Sequence, residues 1–168
     1  MDLENLKRVG VIGSGTMGSE IAQVVASNGR EVGLVDISDS ALDRGMKATG
    51  NSLRRIVKKG EISEEDCRSI FSRIKTTTNL ENLSNVDLVI EATFEDTNVK
   101  KEIVKKLDAL TRPDVIISTN TSSLPIVDIA VNTKRQDKVV GMYFFKPFPV
   151  MKLVEVVKNL AKSDETVE

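Results

Sequence analysis

Two stretches of the chain hold residue types that could do chemistry. The first is Gly13-Ser14-Gly15-Thr16-Met17-Gly18, a G-x-G-x-x-G run between the apolar segment Arg8 to Ile12 and a helical pattern that begins at Thr16. In such a run the first glycine permits a tight turn and the second lets a pyrophosphate approach the backbone. The third lets helix and strand pack closely. The start of the helix then offers free N–H groups and the positive end of a dipole to phosphates. An ordinary glycine turn could show the same trio, but Asp36 adds to it. It closes the next apolar run, EVGLVD, about 20 residues on, where a carboxylate receives the hydroxyls of an adenosine ribose. Ile37 and Ser38 follow, with no arginine for a 2′-phosphate, so NAD is expected over NADP. FAD shares the fingerprint and ranks below NAD.

The second stretch is GMYFFKPFPVMKLVE, Gly141 to Glu155, which contains the only tyrosine of a chain without histidine. Tyr143, between Met142 and Phe144, is either core or a site of chemistry. Tyr143 and Glu155 are equidistant from Pro149, so a hairpin centred there sets them opposite each other. Opposed side chains have Cβ atoms ~5 Å apart. Pro147 and Pro149 are tolerated in a connection that needs no ladder donor. A phenol titrates near 10 and an imidazole near 6.5, so a tyrosine is a weak base at neutral pH. Lys146 could favour the phenolate, but it lies three residues on near a strand end, where successive residues face opposite ways.

Composition narrows the function class. At 168 residues the chain suits one domain with a real core. Its 40% hydrophobic and 29% charged residues are those of an ordinary globular protein. A net charge of −1 argues against nucleic acid or an anionic membrane as the main partner. No apolar run reaches the ~20 residues of a membrane-spanning helix, and MDLENLKR is not a secretory signal. Cys67 stands alone, which fits a reducing cytoplasm. With no histidine and one cysteine, no metal site is expected. A serine hydrolase is excluded, because no histidine exists to activate the hydroxyl.

Apolar runs alternate with helical patterns along the chain. Strands are expected at Arg8 to Ile12, Glu31 to Asp36, Val86 to Ala92, Asp114 to Asn120, Val139 to Phe145 and Leu153 to Val157. Helices are expected at Thr16 to Asn28 and Asn98 to Leu110. Continuous apolar strands separated by helices predict a mostly parallel α/β sheet covered on both faces. Ser40 to Ile74 is too long for a simple crossover. It reads as a helical hairpin split at Lys59-Gly60, projecting away from the sheet, with Ser63 and Asp66 as a capping box. Ser122 or Ser123 could cap a helix beginning near Leu124. The tail, Lys162 to Glu168, is polar and lacks a closing element, as expected of a truncated chain.

With the hairpin, ATFEDTNVKKE, STNTSS and GMYFFKPFPVMKLVEVV in view, the chain resembles the 3-hydroxyacyl-CoA dehydrogenases, over about Lys7 to Thr166. It resembles their N-terminal NAD-binding Rossmann domain, here residues 1–168 with the hairpin at about 40–74. The resemblance implies oxidation of the 3-hydroxyl of an acyl-CoA with hydride passed to NAD, in fatty acid or butanoate metabolism. It also implies a helical C-terminal domain, absent from this sequence, that makes a homodimer.

By position, Gly13, Ser14, Gly15, Thr16, Met17 and Gly18 would hold the pyrophosphate and Asp36 the ribose. Glu95 and Lys100 would contact the nicotinamide side of the cofactor, although Lys100 could belong to a solvated face with Lys101, Lys105 and Lys106. Ser122 would hydrogen-bond the substrate's 3-oxygen and also touch the cofactor site. Ser52 and Lys59 would contact CoA. The nearby cations Arg54, Arg55 and Lys58 suit a phosphate or a merely solvated helix face.

The chain departs from the family where catalysis is expected. Tyr143 stands at the general-base histidine, with Glu155 at its orienting glutamate. Lys146 replaces an asparagine, and a cation there would favour NADH over the oxidised ring. The resemblance therefore leaves two outcomes, a dehydrogenase with substituted catalytic residues or a non-catalytic NAD- or CoA-binding module.

Overall fold

The apolar runs fold as strands in a computed structural model that describes residues 6–145 and 153–158. They are β1 (Arg8–Ile12), β2 (Glu31–Val35), β3 (Ile74–Thr77), β4 (Leu88–Glu91), β5 (Ile116–Thr119), β6 (Val139–Phe144) and β7 (Val154–Val157). The helices are α1 (Thr16–Ser27), α2 (Asp39–Lys58), α3 (Glu64–Ser72), α4 (Thr97–Leu110) and α5 (Ile126–Ala130). One sheet holds all seven strands in the order β3-β2-β1-β4-β5-β6-β7. Its pairings are parallel up to β6, and β7 joins antiparallel. This is the doubly wound Rossmann-type sheet expected from sequence.

The strands read as unbroken apolar runs because they are buried on both faces, yet the two-residue period persists in space. Val9 and Val11 of β1, Leu88 and Ile90 of β4 and Val140 of β6 join α1, α2 and α3 in one core. Ile12, Val89, Ile117 and Val139 face the other way, into a second core with Val104 and Leu107 of α4 and Ile129 of α5. At about 25 cal/mol per Å² of apolar surface, these two layers supply the main folding drive.

The helical hairpin forms, with a correction. Ser63 caps α3 as expected: its hydroxyl accepts from the Asp66 N–H at 3.0 Å and the Asp66 carboxylate accepts from the Ser63 N–H at 3.0 Å. Gly60, at φ +74°, turns the chain between the helices. The hairpin does not project free of the sheet. Leu42, Gly45, Thr49 and Leu53 make a buried stripe on α2, and the Thr49 hydroxyl donates to the Ser19 carbonyl of α1 at 3.4 Å. The helical pattern expected to run through Ile74 ends earlier, and β3 brings the chain back beside β2, with Ile74 opposite Val32. The run Ile-Lys-Thr-Thr is too short for its period to register, although its β-branched residues favour a strand.

The other helix expectation is also corrected. α5 begins at Ile126 behind Pro125 and has no side-chain cap. The Thr121 hydroxyl, rather than Ser122 or Ser123, accepts from the N–H groups of Ser123 (3.4 Å) and Leu124 (3.0 Å). Serine and threonine compete equally for such turns, so sequence could not choose between neighbours.

Candidate active site at the carboxyl ends of the strands

The glycine loop lies between β1 and α1. Gly13 has φ +94°, and a Cβ there would meet the Ala92 carbonyl oxygen at 2.6 Å. A Cβ on Gly18 would run into the Gly13 carbonyl, so both positions require glycine. Around Gly15 nothing lies within 4 Å of such an atom, which leaves the open approach a pyrophosphate needs. Of the four helices of nine residues or more among the described residues, α1 alone lacks a side-chain cap, and its first turn holds no acid. Its leading N–H groups and positive dipole end therefore face the loop without a capping side chain. Thr16 is exposed at this end and Met17 is half-buried against the core. These residues fit a dinucleotide.

Asp36 follows β2 and turns back to the same loop. One carboxylate oxygen accepts from the Ser14 N–H at 2.6 Å and the Ser14 hydroxyl at 2.7 Å, and the other accepts from the Ile37 N–H at 2.7 Å. Partial burial opposes its charge, but these hydrogen bonds and the Arg44 cation outweigh that. They hold the carboxyl below its usual range. An ionised acceptor beside the glycine loop suits ribose hydroxyls.

Beyond β4 and β5 a second cluster forms. Glu95 accepts from the Thr121 hydroxyl, from the N–H groups of Ser122 (3.1 Å) and Ser123 (3.4 Å), and from the Ser123 hydroxyl (3.2 Å). Burial raises its carboxyl, while the Thr121 hydroxyl, the Lys100 charge and the serine donors lower it further, leaving it below the ordinary glutamate value. Ser122 is exposed, and among the described residues its hydroxyl makes no hydrogen bond. Glu95 thus ties the β4 loop to the turn that presents Ser122.

Lys100 is not on a solvated face. It is 0% exposed and lies 2.9 and 3.0 Å from the two oxygens of buried Glu91. It also lies 3.7 Å from Glu95. Lys105 and Lys106 take the outer face of α4. Sequence reasoning missed Glu91, although a lone acid ending the apolar run VDLVIEA demanded a cation partner. It also missed Ile37 and Phe94, 93% and 85% exposed directly after β2 and β4. They follow the two strands that flank β1 in the sheet.

On the far edge, β6 and β7 set Tyr143 opposite Glu155 in antiparallel register, as the symmetry about Pro149 predicts. The Tyr143 ring packs edge-on against Phe145 at 4.8 Å. No hydrogen bond joins Tyr143 to Glu155, which is exposed. Lys146, Pro147, Pro149 and the tail from Lys162 lie outside the described residues. On the hairpin, Ser52 is half-buried and Lys59 is exposed, 3.8 Å from Glu61. Arg54 bonds the Asn51 side chain at 2.6 Å, and Arg54, Arg55 and Lys58 are all exposed.

A family model described as 3-hydroxyacyl-CoA dehydrogenase, NAD binding domain, matches residues 8–168. A 3-hydroxybutyryl-CoA dehydrogenase of Clostridioides difficile is 46% identical over 161 residues, 96% of this chain and 57% of that protein. A 3-hydroxyadipyl-CoA dehydrogenase of Escherichia coli is 44% identical over 164 residues, 98% of this chain and 34% of that protein. The crystal structure of an (S)-3-hydroxybutyryl-CoA dehydrogenase from Ralstonia eutropha superposes with a TM-score of 0.94 at 43% identity, over 96% of this chain and 57% of that one. The chain thus spans little more than half the length of the first of these relatives.

Proposed function

The chain belongs to the 3-hydroxyacyl-CoA dehydrogenase family as its NAD-binding domain, and from that premise we propose that it serves the NAD-dependent oxidation of a 3-hydroxyacyl-CoA to the 3-oxoacyl-CoA. The observation that carries the proposal is the gathering of the glycine loop, Asp36 and the Glu95–Ser122 clasp at one edge of the sheet. Ligands of open parallel sheets bind at that edge. The relatives' names supply the substrate class, a short 3-hydroxyacyl-CoA.

NAD, when bound, would supply the acceptor for the hydride that leaves carbon 3 of the substrate. Asp36 takes the ribose and the α1 N-terminus takes the pyrophosphate. Ile37 and Phe94 offer exposed apolar side chains after the two strands that flank β1, and Glu95 with Lys100 shapes the nicotinamide side. The Ser122 hydroxyl, without a hydrogen-bond partner among the described residues, donates to the substrate's 3-oxygen and orients it. Ser52 and Lys59 on the hairpin take the CoA end. The hydroxyl proton must pass to a base as the hydride leaves, and Tyr143 stands where that base belongs, with Glu155 across from it.

A second proposal, a binding module without chemistry, draws on the same strand pair, because a phenol at neutral pH holds its proton. Calorimetry with NAD and acetoacetyl-CoA separates the cases. Binding of both supports the dehydrogenase site, NAD alone supports the module, and neither overturns the proposal. Oxidation of 3-hydroxybutyryl-CoA should rise toward pH ~10 if Tyr143 is the base. A rate near zero throughout would contradict that role. Tyr143→His should bring a rise near pH ~6.5 if Glu155 orients the new imidazole.

A further inference from the structure

Glu91, at the carboxyl end of β4, has no role in the site as described so far. It and Lys100 are both fully buried. One Glu91 oxygen accepts from the Thr93 N–H (2.7 Å), the Thr93 hydroxyl (2.6 Å) and Lys100 (3.0 Å). The other accepts from the Thr119 hydroxyl (2.6 Å) and Lys100 (2.9 Å). The Lys100 ammonium also donates to the Asn120 carbonyl at 3.4 Å and lies 3.7 Å from the second oxygen of Glu95. Glu95 in turn grips the turn from Thr121 to Ser123. A continuous chain of polar contacts therefore runs from the interior of the sheet to the exposed residue Ser122.

A buried ion pair is a poor device for stability, since apolar side chains of similar volume often hold a core as well or better. What such a pair supplies is geometry. Every acceptor on Glu91 is engaged, and its partners come from the β4 loop, the start of α4 and the end of β5. Sites that bind ligands precisely need such a supporting layer behind the residues that touch the ligand. We propose that Glu91 is a positioning residue for the nicotinamide side of the cleft, acting through Lys100 and Glu95 on the turn that presents Ser122. The proposal rests on the placement of the nicotinamide beside Glu95 given above.

Glu91→Gln alone would strip a buried cation of its partner and can unfold the chain. The working probe is the pair Glu91→Gln/Lys100→Met, neutral and of similar volume, with thermal melting as a check on folding. Thr119→Val loosens the same carboxylate by one hydrogen bond and should give a smaller loss of the same kind. Calorimetry compares NADH with ADP-ribose, which has the adenosine and pyrophosphate but no nicotinamide. In the paired variant, ADP-ribose affinity should stay within about twofold while NADH affinity falls about tenfold, equivalent to about 1.4 kcal/mol. Amide exchange at Ser122 and Ser123 should quicken while that of β1 stays slow. A role confined to stability would move both affinities together, or neither, and either result would overturn the positioning role. Wild-type protein that binds NADH no more tightly than ADP-ribose would overturn the nicotinamide placement itself, and the proposal with it.

Discussion

Asp36 joins sequence, loop geometry and cofactor choice in one carboxylate. It is gripped by Ser14 from within the glycine loop, so the loop and the ribose acceptor form one unit. Asp36→Ala should weaken NAD binding by about tenfold or more, since a hydrogen bond to a charged group is worth about 1.5–3 kcal/mol. Unchanged calorimetric affinity would refute the ribose role. This residue was legible in the sequence because strand, glycines and acid come at fixed spacing. Glu95 and Ser122 were legible only as separate motif positions. Their mutual hydrogen bond joins two loops separated along the chain, and no local pattern encodes it. The same limit hid the partnership of Glu91 with Lys100, which left Lys100 open to a solvated reading.

The elements show where periodicity speaks and where it falls silent. α1, α4 and the hairpin were readable from their apolar spacing and caps, Ser63 with Asp66 above all. β3 was not, because four residues after a helix carry too little pattern to separate strand from helix end. Arg135 is another element-scale feature that the sequence concealed. It is 8% exposed and pairs with the Asp108 carboxylate at 2.9 Å. Its guanidinium also donates to the carbonyls of Leu107, Asp108 and Thr111 at the end of α4, and to that of Arg112. The Leu107 carbonyl also accepts the Thr111 N–H at 2.9 Å, while the last carbonyls of a helix run short of N–H partners, and a planar fork of donors meets several at once. Arg135→Ala should cost on the order of 3 kcal/mol and lower the melting temperature by roughly 10 °C. Arg135→Lys should recover only part, because a single ammonium cannot span the set. A melting shift below about 2 °C for the alanine variant would contradict the clamp.

Across the whole molecule, two apolar layers enclose the sheet, and three carboxylates stand next to strand ends: Asp36 after β2, Glu95 in the loop after β4 and Asp87 just before β4. Asp36, Asp87 and Glu95 are all held below their ordinary carboxyl values in the fold. Partial burial opposes their charge, but hydrogen-bond donors and nearby cations prevail. Their contribution to stability is therefore present above the ordinary carboxylate range near pH ~4 and is lost as the pH falls through the lowered folded values. Urea midpoints should hold steady from pH 7 to about 5 and then fall steeply below about 4. A midpoint that rises on acidification would reverse the assigned sign. The double-wound topology was legible from the alternation of apolar runs and helices. The hairpin's packing on α1 was not, because a buried stripe does not name the surface that covers it.

The proposed function requires a dinucleotide seated at the carboxyl edge of this sheet. NADH titrated into the protein by calorimetry tests that most directly. One saturable site, weakened in the Asp36→Ala variant while the fold persists, is the predicted result. Absence of saturable binding by the folded wild-type chain would contradict it.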